Sequence, residues 1–158
     1  MGAHQYKLSM LPRGFAGGDI NEDDVWTVEQ PPSALLANLR TLLPKETSWG
    51  EVEEFESDRD WGSDLRIWHD ENREGPISGI ELRYSPVADE LKVLERFIDA
   101  AANFSLVVYA TESERVLEPS LDVVMGDLRS SLAFRFVPDP TGAVVKAAEA
   151  LKKPNKLG

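Results

Sequence analysis

Three segments between residues 48 and 85 alternate apolar and polar side chains with a period of two, and the runs joining them, DRDWGS and DENREGP, are rich in turn-forming residues. A period of two sends successive side chains to opposite faces of a strand, and turn-rich joints reverse the chain, so this spacing predicts an antiparallel meander. The first segment, 48–57, is short, acidic and imperfectly alternating. The second, 64–70, places Leu65, Ile67 and His69 on one face and Arg66, Trp68 and Asp70 on the other. In the third, 77–85, Ile80, Leu82 and Tyr84 oppose Glu81 and Arg83. One face of such a sheet is buried and the other is wet.

The flanking residues supply the cover. In 31–43, Leu35, Leu36, Leu39, Leu42 and Leu43 form one helical stripe, with prolines before it and Pro44 just past its end. Ser85 and Pro86 read as a helix start, and Val87, Leu91, Leu94, Ile98 and Ala101 continue an amphipathic helix to about Asn103. SLVVYA (105–110) predicts a central strand, TESE a turn and 115–117 a shorter strand; Pro119 opens a helix to about Ser130. Phe134 and Phe136 anchor an extended link, and 139–153 reads as a last helix with Lys152 and Lys153 at its basic end. Residues 1–30 hold a strand-like run, Tyr6 to Leu11, followed by a glycine-bearing acidic loop in which Trp26 is a core candidate. The chain of 158 residues suits one domain, 1–158, comprising the N-terminal strand and acidic loop (1–30) and a helix, strand meander, helix, hairpin and two helices (31–153). The fold class expected is α+β, an antiparallel sheet with helices packed mainly on one face.

Charge is as unevenly placed as hydropathy. The net charge is −11, and two stretches account for it: 19–29 carries five acids and no base, and 51–74 carries ten acids against Arg59, Arg66 and Arg73. Trp26, Trp61 and Trp68 lie inside these stretches and Trp49 borders one. Concentrated charge steers an oppositely charged partner, and tryptophan is the residue most often found as a binding anchor. The expected partner is therefore a basic protein, met by a face that includes Asp23, Asp24, Glu51, Glu53, Glu54, Glu56, Asp58, Asp60, Trp61 and Trp68. The same acidity argues against nucleic acid and anionic membranes. With no cysteine, thiolate metal sites and cysteine nucleophiles are excluded. No window approaches the roughly 18 apolar residues of a membrane span, no apolar core of signal-peptide length opens the chain, and a cytoplasmic location is the expectation.

Motifs that would name a reaction are missing from the chain. There are two histidines, His4 and His69, and no GxSxG elbow, GxGxxG or Walker loop. Asp58, Asp60, Asp64, His69 and Glu71 offer oxygen and imidazole ligands for a divalent cation, which makes a metal-dependent hydrolase the alternative, but their spacing fails the EF-hand pattern. A catalytic carboxylate pair drawn from Glu51, Glu53, Glu54 and Glu56 competes with the plainer reading of a solvated acidic face. No catalytic residue, metal ligand or cofactor is assigned, and an adaptor subunit whose acidity serves only solubility is the third reading.

The segment SLVVYATESERVLEPSLDVVMGDLRSSLAFRFVPDP resembles small uncharacterised bacterial proteins, some of which look like immunity proteins of toxin systems. The pattern is an apolar strand, a turn, RVLEP, a helix and then FRFVPDP, over about 35 of the 158 residues. The resemblance implies an intracellular α+β protein that neutralises a cognate toxin by stoichiometric binding, and it carries no catalytic residues with it.

Overall fold

The computed structural model describes residues 5–15, 25–27, 29–88 and 90–131. Within them seven strands form one sheet: β1 (Tyr6–Pro12), β2 (Lys45–Glu46), β3 (Val52–Glu56), β4 (Asp64–His69), β5 (Ile77–Tyr84), β6 (Leu106–Ala110) and β7 (Arg115–Leu117). Three α-helices accompany it, α1 (Ser33–Leu39), α2 (Leu91–Asn103) and α3 (Leu121–Arg129). The strand order is β2-β3-β4-β5-β1-β6-β7, and every pair is antiparallel. The expected meander is β3-β4-β5. β1, from the N-terminal run, lies between β5 and β6, so α2 carries the chain from β5 across β1 to β6.

Register sorts the side chains into two faces. Tyr6 pairs Tyr84, Leu8 pairs Leu82 and Ala110, and Ile67 pairs Ile80. These residues share one face with Phe55, Leu65 and Val108, and all are buried. The helices lie on this side: α2 packs on β5 and β6 and meets α1. Leu94, Phe97, Ile98 and Ala101 of α2, Leu35 and Leu39 of α1, and Val124 and Leu128 of α3 join the same core. Glu54, Arg66, Trp68, Gly79, Glu81 and Arg83 belong to the other, outer face, as the pairs Glu54 with Arg66, Arg66 with Glu81, and Trp68 with Gly79 require.

Two polar devices reach between distant parts of the core. The buried Tyr6 hydroxyl donates to Asp127 Oδ2 of α3 at 2.6 Å, and burial, followed by that carboxylate, pushes the Tyr6 phenol far above its ordinary value. Gln30 acts as a one-residue strand: its amide accepts the Ile77 N–H (2.7 Å) and donates to the carbonyls of Ile77 (3.0 Å) and Trp26 (2.8 Å). This ties the segment bearing Trp26, only 2% exposed, to the start of β5.

Some boundaries move. The leucine stripe of 31–43 is helical only over Ser33–Leu39; Leu42 and Leu43 stay buried from the turns that follow. The helix expected from Ser85 begins instead with a 3-10 turn at Pro86–Ala88 and becomes α-helical at Leu91. β2 was not expected: two exposed residues carry no periodicity of their own and are strand only through pairing with Phe55 and Glu56. The link at Phe134 and Phe136 and the last helix, 139–153, lie outside the described residues.

Candidate binding face

The outer face of β3, β4 and β5 collects three of the four tryptophans. Glu54 and Arg66 are cross-strand partners, and Arg66 Nε donates to Glu54 Oε2 at 3.2 Å. The other Glu54 oxygen accepts the Trp49 indole N–H at 2.6 Å. Trp49 and Trp68 meet edge to face with ring centroids 6.1 Å apart, and the Arg66 guanidinium carbon stands 5.9 Å from each ring centre. The cation and both rings attract, so an arginine that pairs with a carboxylate also fixes two indoles. Trp49 remains 48% exposed and Trp68 half-buried.

Trp61 stands at the end of this face, 67% exposed, in the turn between β3 and β4. Its φ of 58° is left-handed, which costs a residue with a Cβ roughly 1–2 kcal/mol. The turn is held from several sides. Ser57 N–H donates to the Ser63 carbonyl (3.0 Å) and Gly62 N–H to the Arg59 carbonyl (3.2 Å). The Glu90 carboxylate accepts both the Ser57 hydroxyl and the Ser63 N–H, and Arg59 reaches the Ala88 carbonyl at 3.0 Å. The exposed Trp61 is thus carried on a turn whose backbone is fixed by these contacts.

Gly62 is required by close approach. A Cβ there would sit 2.4 Å from Ser57 Cβ, 2.6 Å from its Oγ and 2.9 Å from the Arg59 carbonyl oxygen. Gly62→Ala is expected to lower stability by about 1–2 kcal/mol in urea unfolding and to shift the Trp61 indole resonance. An unmoved indole signal and unchanged stability would mean that the turn gives way freely.

Beside Trp61, Asp64 is buried within reach of Arg66 (3.5 Å) and Arg83 (3.6 Å) and accepts from the Gln5 amide (3.0 Å). Burial raises its carboxyl above the usual range in spite of the two guanidinium groups. Gln5 also accepts from Arg83 at 2.8 Å. A cleft of about 290 Å³ lies over this cluster, and a second of about 540 Å³ lies beside Trp68.

The structure divides the acids expected on one face. Glu51, Asp58 and Asp60 are exposed in turns at the ends of the strands, and Glu56 is half-buried on the outer face. Glu54 is on that face but buried, its oxygens committed to Trp49 and Arg66. Glu53 is the correction: it points to the helix side, where it pairs with Arg40 at 2.8 and 3.0 Å and meets His69 Nε2 at 2.7 Å. Burial raises the Glu53 carboxyl, and the hydrogen bonds from Arg40 and His69 overcome it, so the net shift is downward. Alternation explains the split, since neighbours in a strand cannot share a face. Asp23 and Asp24 lie outside the described residues.

The hydrolase cluster is likewise dispersed. His69 is buried on the helix side with Nδ1 against the Gly75 carbonyl (2.8 Å) and Nε2 on Glu53, whereas Asp64 is on the outer face and Asp58, Asp60 and Glu71 are exposed in turns. Among the described residues no three His, Asp or Glu side chains converge to hold a metal, and no helix is long and apolar enough to cross a membrane.

Sequence reasoning missed the parts of Trp49, Gln5 and Arg83. The pairing of Arg66 and Trp68 on one strand face was legible from their spacing; the return of Trp49 to meet them was not. In comparison with known proteins, no family model, curated protein or solved structure is significantly similar to the chain.

Proposed function

We propose that this chain is a non-enzymatic binding protein that docks a basic protein partner on the outer face of β3-β4-β5, with Trp61 as its anchor. The observation that carries the reading is an indole 67% exposed on a turn fixed by Glu90 and Arg59, with Asp58 and Asp60 exposed in the same turn. Burying such a residue in a partner's pocket releases a large apolar area, while the adjoining carboxylates speed the encounter with Lys and Arg. The resemblance of the C-terminal third to immunity-like bacterial proteins narrows the partner to a cognate toxin, neutralised by one-to-one binding.

Electrostatic steering makes a rate prediction. The association rate constant with the true partner should fall about tenfold or more between 50 mM and 500 mM salt, as the Debye length shortens, while dissociation changes little. Capture from the native cell on immobilised wild-type protein, with Trp61→Ala as the control, supplies the partner, and stopped-flow fluorescence measures the rate. A partner retained equally by both proteins, or an association rate indifferent to salt, would overturn the reading.

A further inference from the structure

The geometry points to the larger outer-face cleft as the receptor for one basic side chain, arginine or lysine, presented by an extended segment of the protein partner; this rests on the binding-protein reading and specifies where the partner's cation is held. The cleft of about 540 Å³ is of the size that ordinarily takes a ligand. Trp68 of β4 walls it, and its floor includes Ser9 and Leu11 of β1 and Gly79 and Glu81 of β5. Trp68 pairs with Gly79 across the strands, and its side chain packs over the glycine, where an added Cβ would stand 3.5 Å from Trp68 Cδ1.

Its charge is of one sign. Among the described residues four acids line the cleft, Glu51, Asp70, Glu71 and Glu81, and no lysine or arginine does. The one lining histidine, His69, has its ring nitrogens engaged by Gly75 and Glu53. Elsewhere on this face two buried carboxylates are answered locally, Glu54 by Arg66 and Asp64 by Arg66 and Arg83. Glu51, Asp70 and Glu71 make no ion pair among the described residues. Their field therefore acts on whatever enters.

The kind of cation follows from spacing and from the wall. The acids do not converge as metal ligands do, so a point charge has no shell to enter. An arginine or lysine side chain matches both features: its aliphatic stem lies along the Trp68 wall, its head attracts the ring, and the carboxylates at the rim complete the contact. An acidic or phosphate-bearing ligand would be repelled by the four lining carboxylates.

The test is a titration of the full chain, labelled with ¹⁵N, with the tripeptide Gly-Arg-Gly, with Gly-Lys-Gly, and with Gly-citrulline-Gly as the uncharged isostere. The expected result is saturable movement of the Trp68 indole N–H and the Gly79 amide with both cationic peptides. The citrulline peptide should bind at least about tenfold more weakly, and the double variant Asp70→Asn, Glu71→Gln should lose at least about fivefold in affinity for Gly-Arg-Gly. Both substitutions are near-isosteric at exposed turn positions, and Trp68→Leu gives a second disruption from the wall. Equal response to citrulline, shifts confined to Trp61, or an unaffected double variant would overturn the proposal. Against the captured partner the two ideas separate: affinity lost in Trp61→Ala but kept in the double variant sinks the cleft alone, and affinity kept in Trp61→Ala sinks the binding face.

Discussion

Tyr6→Phe should cost about 3 kcal/mol of stability at pH 7, measured by urea unfolding, although it removes a single oxygen. The hydroxyl is the hydrogen-bond donor to Asp127 Oδ2, and among the described residues the cation paired with that carboxylate, Arg115, is 3.9 Å from the opposite oxygen and itself largely exposed. A neutral hydrogen bond is worth about 1 kcal/mol, but a buried carboxylate left without its donor adds its own desolvation cost. The bond joins β1, an interior strand, to α3 across 121 residues of sequence, so α3 should loosen before the sheet does. The pH dependence distinguishes this from simple loss of packing. Because the folded state holds the phenol proton far above the ordinary value of about 10, this contribution is complete below pH 10 and is lost progressively as pH rises beyond it. Wild type should therefore lose stability between pH 10 and 11 more steeply than the Phe variant. A deficit under 1 kcal/mol at pH 7, with parallel alkaline profiles, would show that Asp127 finds another donor.

What the sequence reveals here is local, and what it conceals is pairing. β4 and β5 were legible because each alternates over six residues or more, and α2, β6, β7 and α3 because periodicity and prolines bound them. The position of β1 was not legible, since nothing in Tyr6 to Pro12 says that its neighbours are Arg83 and Tyr109 rather than the edge of the meander. The 3-10 turn at Pro86–Ala88 was hidden for a related reason: Val87 fits the helical stripe, but the Ala88 carbonyl is claimed by Arg59 from the Trp61 turn. Tertiary demand overrides local preference there.

The binding face shows the same division. Exposure of Trp61 followed from its polar turn, and the half-burial of Trp68 beside Arg66 from alternation. The placement of Glu53 opposite Glu54 also follows from alternation, yet treating the acidic run as one surface set that consequence aside. Neutralisation by Arg66 and Arg83 was beyond reach, because both partners of each pair had to be placed first. The face is therefore less anionic at its centre than the composition suggests, with its unanswered carboxylates displaced to the turns and the rim of the larger cleft.

Trp61→Ala is expected to weaken partner binding by at least about 2 kcal/mol, some 30-fold in Kd, while leaving folding stability within about 0.5 kcal/mol of wild type. The two effects separate because Trp61 is 67% exposed while the turn that carries it is held by Ser57, Arg59, Gly62, Ser63 and Glu90. Alanine keeps the Cβ and hence the left-handed backbone cost; glycine removes it. Trp61→Gly should accordingly bind as poorly as the alanine variant but unfold at a urea concentration at least as high as wild type, gaining up to about 1 kcal/mol. A bulky side chain retained in a conformation that glycine would adopt more cheaply is what a site selected for presentation looks like, and a residue selected for stability would behave in the opposite way. Isothermal titration against the captured partner and paired urea melts decide it: affinity within twofold of wild type in both variants, or a clear loss of stability in Trp61→Gly, would make Trp61 a structural residue and leave the outer face without its anchor.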